Sequence, residues 1–376
     1  MASSDRHLHI ISFDVPFPPN YGGVIDVFYK IKSLFEAGIK IHLHCFQYGR
    51  NESKELLKYC YVVNYYSRNI SKAAMFRKQP YIVISRSSEE LLKTLQKDKY
   101  PIIFEGLHTC SLLDDPNLND RIKIVRTHNI EHDYYRSLAG VEKNIFKRLY
   151  FYNEASKLEQ FEDILVSASA IAAISPNDKI YFSKKNSGAF YLPAFHPNNS
   201  IEISDSPGDY ALYHGNLSVG ENNQAALYLV NEVFGNSDMK LIIAGSKPSA
   251  ELKSAVTKFA NIELLADIPM EQIMDLVRSA QVNVLPTFQP TGIKLKLLAA
   301  LFNGRHVVVN NEMVENTGLE ALCHIAGDAE KMRSAVQLLL KEPFDANAFA
   351  MRNETLMRKF SNTASVKVLL KKIYPE

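Results

Sequence analysis

The sequence predicts an α/β protein made of two similar halves, each a parallel sheet covered by helices on both faces. Three observations carry this. Short β-rich apolar runs alternate with helical patterns along the chain. The alternation is interrupted once, over residues 192–209, and then restarts. The chain has 376 residues, 46% of them apolar, which is more than one ordinary domain needs to bury a core.

In the first half, His9 to Phe13 (HIISF) reads as a strand, Asp14 to Gly23 (DVPFPPNYGG) as a loop, and a helical pattern begins around Val24. Lys40 to Phe46 follow as strand, Ser87 to Gln96 as helix, and Pro101 to Phe104 and Lys123 to Arg126 as strands. One long helix is expected from about Val141 to Ser167, then a strand from Ala170 to Ile174. Ser175-Pro176 opens the next helix, because serine caps free amides and proline suits the first turn. The stretch LPAFHPNNSIEISDSPGD (192–209) reads as a linker. Beyond it, strands are expected at Tyr210 to His214, Lys240 to Ala244, Ile262 to Leu265, Val282 to Leu285 and His306 to Asn310. Helices are expected at Asn222 to Phe234, Ala250 to Phe259, Met270 to Ser279 and Gly292 to Phe302. The expected domains are 1–196, 197–355 and a terminal helical segment 356–376 packing back on the first. Ligands of open parallel sheets bind outside the strands' carboxyl ends, so a cleft between two facing halves is the expected site.

Composition narrows the function. Lys plus Arg (43) nearly balance Asp plus Glu (41), leaving +2 without a basic block, which argues against a nucleic-acid binder but is compatible with one small anion. The four cysteines lie far apart with no metal-ligand spacing, so neither a disulfide framework nor a structural zinc is signalled, and a reducing cytoplasm fits best. The run MASSDRHLHIISFDV is too short in apolar residues for an export signal, and no segment approaches the about 18 uninterrupted apolar residues of a membrane span.

The most informative stretch is Val282 to Asn310, VNVLPTFQPTGIKLKLLAALFNGRHVVVN. Thr291 is positioned to cap the helix, and Lys294 and Lys296 fall near its first turn, where the dipole already disfavours cations. A phosphate or diphosphate there would satisfy amides and lysines together. The plainer alternative is that both ammonium groups reach into water.

Together with HVVVN, PTFQPTGIKLKLLAALFNG resembles the signature of the family 4 (group 1) retaining glycosyltransferases of GT-B fold. YHGNLSVGENN (Tyr213 to Asn223), LIIAGSKP (Leu241 to Pro248) and NIELLADIPMEQIMDLVRSAQVNVLP (Asn261 to Pro286) resemble that family's donor-binding domain. PFPPNYGG (Pro16 to Gly23), RTHNIEHDYY (Arg126 to Tyr135), EASKLEQFED and AISPND resemble its acceptor domain. The resemblance implies two Rossmann-like β/α/β domains facing each other across a deep cleft. It implies a hexosyltransferase of polysaccharide biosynthesis that moves a sugar from a nucleoside diphosphate sugar to a glycan, polysaccharide or lipid-linked hydroxyl, with retention. It further implies no bound metal and no cofactor beyond the donor substrate, and work in the cytoplasm or at the inner membrane face.

On this reading Gly22 and Gly23 allow the backbone to approach the ligand, and His128, after the KIVR strand, lies beside the donor sugar. Gly215, Asn223, Thr291, Gly292, Lys294 and Lys296 contact nucleotide and phosphates. Further candidates are Glu131, more simply a helix-start acid; Asn216, which stands where an arginine is usual; Ile268 with Pro269, flanking the base; and Glu312 and Glu315, more simply solvated loop acids. His132, four residues after His128, would share a helical face with it, but no third acidic ligand is in register for a metal. Thr291 and Ala299 replace the family's two glutamates, so a nucleotide-sugar-binding protein without turnover is the alternative. A nucleotide-sugar epimerase ranks third. Arg68, Lys72, Arg77 and Lys78 interleave with apolar residues and could touch an anionic membrane.

Overall fold

The computed structural model describes residues 5–71, 77–142, 144–204, 206–288 and 295–375. In chain order its elements are β1 (His7–Ser12), α1 (Gly22–Glu36), β2 (Lys40–Gln47), β3 (Val62–Ser67), α2 (Tyr81–Ile84), α3 (Glu89–Leu95), β4 (Ile102–Glu105), β5 (Lys123–Thr127), α4 (Glu131–Val141), α5 (Ile145–Phe161), β6 (Ala170–Ala173), α6 (Pro176–Ser183) and β7 (Phe190–Tyr191). They continue with β8 (Ala211–Asn216), α7 (Gly220–Tyr228), β9 (Leu241–Ser246), α8 (Ala250–Val256), β10 (Ile262–Ala266), α9 (Met270–Ser279), β11 (Val282–Val284), α10 (Leu295–Asn303), β12 (His306–Val309), α11 (Asn311–Val314), β13 (His324–Ile325), α12 (Ala329–Leu339), α13 (Ala346–Lys359) and α14 (Asn362–Ile373).

The chain divides into two compact units, Met1–Pro197 with Phe360–Glu376, and Asn198–Lys359. As the alternation predicts, each unit is built on a parallel sheet. The orders are β3-β2-β1-β4-β5-β6-β7 and β10-β9-β8-β11-β12-β13. Both therefore reverse direction beside their first strand, between β1 and β4 and between β8 and β11, where α/β sheets open a crevice for ligands. In unit 1 the β1, β2 and β5 side chains Leu8, Ile10, Ile41, Leu43 and Ile124 pack against α1 (Val24, Val27, Ile31) and α14 (Val366, Leu369, Ile373). The terminal helix is locked by Tyr374, whose hydroxyl donates to the His7 carbonyl at 2.7 Å.

Several local expectations are corrected. The helix expected over 141–167 is two: α4 ends at Glu142 in an extended conformation, and the Asn144 side chain accepts from the Phe146 and Lys147 amides to start α5 afresh. Its last turn, Glu162–Ser167, tightens to a 3₁₀ helix. The beginning of the expected linker is not one. Leu192, Phe195 and His196 are buried, and Asn362 and Phe360 accept from or bond the His196 backbone and ring. Strands β3, β7 and β13 lie at or near sheet edges where no strong apolar run marks them. The helix expected over Asn222 to Phe234 starts at Gly220 and finishes in a π-helical turn, Leu229–Phe234.

Candidate functional site

Unit 1 collects charge at the carboxyl ends of β4 and β5. Helix α1 turns an apolar face to the sheet, yet Asp26 and Lys30 sit within that face and are 1% exposed. Such burial is tolerable only with partners. The Lys30 ammonium donates to both oxygens of Glu105, at the end of β4, at 2.7 and 2.8 Å, and to Asp26 Oδ2 at 3.0 Å. From β5, Arg126 grips Asp26 with Nε and Nη2 at 3.1 and 2.9 Å and donates to the Leu192 and Pro193 carbonyls. The Phe195 amide completes the Asp26 shell at 2.8 Å. Burial pushes the Asp26 carboxyl upward, but Arg126, Lys30 and His128 outweigh it and hold the group well below the usual carboxylate range.

This network positions His128. Its Nε2 lies 3.2 Å from Asp26 Oδ2 and 3.6 Å from Glu105 Oε2, and the Phe13 ring meets it edge-on at 5.5 Å. With Nε2 donating to a carboxylate, a neutral ring keeps Nδ1 as an acceptor for a substrate hydroxyl. Asp26, Glu105 and His128 bring ligand atoms within 4.8 Å of one another, close enough for a divalent ion. Both carboxylates are already bonded to Lys30, so an ion there would have to displace an ammonium group.

Gly22 and Gly23 open α1, whose first turn has neither a side-chain cap nor an acid. A Cβ on Gly23 would come 2.7 Å from the Phe13 ring, so this glycine is first required by packing. Glu131 starts α4, as a helix-start acid should, and is buried there. Burial and then Glu162 push its carboxyl up to about 8, against Arg86 and Asn129. His132 shares no helical face with His128, which precedes α4; it bonds Glu162 at 3.0 Å. Of the four interleaved basics, Arg68 bonds Ser85 and stacks over Tyr48, Arg77 and Lys78 are exposed, and Lys72 lies outside the described residues.

In unit 2 a milder cluster gathers where β8 ends. Gly215 faces Gly245 across the β8–β9 pair, and a Cβ on Gly245 would stand 2.0 Å from the Gly215 carbonyl oxygen, so only glycine fits. Lys296, in the first turn of α10, donates to Asn222 Oδ1 at 2.9 Å and Tyr213 Oη at 3.2 Å, with its ammonium 5.0 Å from the Tyr213 ring centre. Asn222 ties back to the Asn216 carbonyl at 2.9 Å, and the Asn216 side chain accepts from Ser218 and Ser246. Asn223, in the first turn of α7, has a buried Oδ1 with no hydrogen-bond partner among the described residues. Thr287 donates to Glu221 and is fixed through Asn310. Burial and then Lys296 push His214 down to about 4, keeping it neutral.

The structure thus brings Gly215, Asn216 and Lys296 together. Thr291, Gly292 and Lys294 lie outside the described residues. Ile268 is packed against the buried cluster that includes Tyr210, Leu212 and Ile273, and with Leu265 and Leu276 it lines a pocket of about 310 Å³. Glu312 and Glu315 are exposed. Asp26, Lys30, Glu105 and Arg126 were missed by sequence reasoning. The available signal was a charged i,i+4 pair inside the apolar stripe of α1 and charges closing two buried strands.

Residues 208–342 match the family described as glycosyl transferases group 1. The chain is 28% identical over 331 residues to an uncharacterized 44.6 kDa protein in the cps region of Klebsiella pneumoniae, covering 82% of this chain and 84% of that one. Among solved structures, TarM aligns with a TM-score of 0.72 at 10% identity over 99% of both chains. OtsA in its apo form gives 0.66 at 10% over 99% of both. HepE from Anabaena, in complex with UDP and glucose, gives 0.64 at 11% over 99% of this chain and 100% of that one. A glycosyl transferases group 1 domain therefore occupies residues 208–342, and the pair of parallel-sheet units is the fold of GT-B glycosyltransferases. Among the described residues no helix is long and apolar enough to cross a membrane.

Proposed function

We propose that the chain is a glycosyltransferase that moves a sugar from a nucleoside diphosphate donor to a hydroxyl of a carbohydrate or lipid-linked acceptor, with retention and without a metal. Unit 2 takes the diphosphate, with Lys296 and the amides opening its helix stabilising the charge that builds on the leaving oxygens. His128 contacts the sugar. The observation that supports this best is the immobilised imidazole of His128, held by Asp26 within a closed ion network, in a chain that also carries the group 1 domain. Ala299, partly buried in α10, favours the second reading, a nucleotide-sugar binder without turnover, because its methyl group cannot accept bonds from ribose hydroxyls.

Because HepE is described with UDP and glucose, UDP-glucose is the first donor to assay, followed by other nucleoside diphosphate sugars. Release of the nucleoside diphosphate is followed with mixed glycan acceptors, with and without a chelator. The transferase reading expects turnover unaffected by the chelator and reduced about 10²–10³-fold by His128→Ala. Nucleotide binding that raises the melting midpoint, with no turnover from any donor, selects the binder instead.

A further inference from the structure

We propose that Arg50, Arg68 and Arg86 seat a phosphate monoester carried by the acceptor, an inference that rests on the transferase reading and extends it within unit 1. Strands β3, β2 and β1 are neighbours in the sheet, and the residues that follow them meet at its carboxyl edge: Phe13 and Asp14 after β1, Tyr48 and Arg50 after β2, and Arg68 after β3. Ligands of open parallel sheets bind along this edge. The Phe13 ring centre lies 5.5 Å from that of His128.

Contacts join these residues into a ring. Tyr21 donates to Asp14 Oδ2 at 2.9 Å, and the Arg50 guanidinium lies 5.6 Å from the Tyr21 ring centre. Arg68 stands over the Tyr48 ring at 4.2 Å, two residues before Arg50, and its Nη2 donates to Ser85 Oγ at 3.0 Å. Arg86, next in sequence to Ser85, closes the ring by donating from Nε to the Phe13 carbonyl at 2.8 Å. The rim is open to solvent, because Tyr21 is 40% and Tyr48 59% exposed and Arg50 and Arg68 are only half-buried. Asp14 and Arg86, 8% and 7% exposed, lie deeper.

Charge selects the ligand. Among the described residues, every hydrogen-bond partner of the three guanidinium groups is neutral: Asn20 Oδ1 and the Pro18 carbonyl for Arg50, Ser85 Oγ for Arg68, and the Phe13 and Ile82 carbonyls for Arg86. Arg68 Nη1 and Arg86 Nη2 make no hydrogen bond to any of the described residues. Burial and then Arg68 lower Arg86 to about 10, which leaves it charged at neutral pH. The acid in the ring is Asp14, whose carboxylate is already bonded by the Val15 amide and the Tyr21 hydroxyl. Glu131, which also lies in the field of Arg86, is pushed up to about 8 by burial and then Glu162, so it adds little charge. Three cations against one carboxylate leave the ring at about +2, which a phosphate monoester of about −1.5 to −2 cancels and a single carboxylate does not. Guanidinium N–H groups also bond such oxygens about twice as strongly as neutral acceptors.

The test reads binding without turnover, so a failed transfer assay refutes the function proposed above and leaves this inference to be judged separately. Isothermal titration uses glucose 6-phosphate, glucuronate and glucose. Flotation uses phosphatidylcholine vesicles with and without phosphatidic acid, which presents the same group on a lipid. Wild type should bind glucose 6-phosphate or the phosphatidic acid vesicles, and the arm that responds names a soluble or a lipid-borne phosphate. Arg68→Gln should weaken that binding about tenfold at an unchanged melting midpoint, and Lys296→Ala should not weaken it. Should Arg68→Gln fail to fold, Arg50→Gln replaces it, and the wild-type ranking of the three sugars still decides. No binding in either arm, glucuronate or glucose held as tightly as glucose 6-phosphate, or a loss that follows Lys296 rather than the arginines overturns the proposal.

Discussion

The carboxyl ends of the two sheets share a strand order but differ in how they hold charge. In unit 1, two carboxylates, one ammonium and one guanidinium are buried together, each serving as another's solvent. In unit 2, the half-buried Lys296 leans on an amide oxygen and a phenol. The difference separates two tasks. A closed ion network fixes geometry, because every member constrains the others. A half-buried ammonium whose hydrogen bonds include an amide oxygen and a phenol is not locked into a closed network of buried charges. Under the function proposed above, one topology would supply rigidity for the imidazole and receptivity for the diphosphate through different side chains at its switch point.

The largest effect is expected from Asp26→Ala. It leaves Lys30, Arg126 and the Phe195 amide without their shared acceptor, and the expected loss of stability is about 3–5 kcal/mol in urea denaturation. The pH dependence has a definite sign. The folded-state carboxyl is held well below its unfolded value, so its contribution is fully present above the ordinary carboxylate pKa. It is lost as pH falls below that value toward the folded one. Wild type should lose stability on acidification below about pH 4, and Asp26→Asn should flatten that fall. A loss under about 1 kcal/mol for Asp26→Ala would mean that the network is not a constraint.

That network also shows what the sequence conveyed and what it withheld. Buried parallel strands such as LIIAG and HVVV advertise themselves by continuous apolar runs, and Ser175-Pro176 caps α6 as its chemistry requires. Strand β3, VVNYYS, is half-exposed and mixes polar with apolar side chains, so its pattern is weak. Residues 141–167 keep a helical character on both sides of the break, and only the Asn144 cap marks where one helix ends and another begins. The same limit applies to the candidate site. His128 was visible because a strand precedes it. Asp26 and Lys30 read locally as an i,i+4 surface pair, since nothing in four residues says that Glu105 and Arg126 will arrive from strands far along the chain. Glu131 read as a helix-start acid for the same reason: its burial is a tertiary fact.

In unit 2, Lys296→Ala should have a smaller effect on stability. The side chain is half-buried and hydrogen-bonded to Tyr213 and Asn222, so its removal should cost roughly 1 kcal/mol of stability or less. UDP affinity, followed by isothermal titration or by the rise in melting midpoint, should fall about tenfold, equivalent to about 1.4 kcal/mol. Stability lost on the scale of Asp26→Ala, with UDP binding intact, would make Lys296 a structural residue and remove the contrast.

The smallest effect belongs to Glu312 and Glu315. Both are exposed on and beside the short helix α11, whose buried contacts come from Met313 and Val314 between them. Their carboxylates therefore gain little from the fold, and a Glu312→Ala, Glu315→Ala double variant should lie within about 0.5 kcal/mol of wild type. If either acid compensated for the missing glutamate at Ala299, the double variant would instead weaken UDP binding at unchanged stability. The Lys296→Ala titration carried out beside it supplies the scale on which such a loss is read.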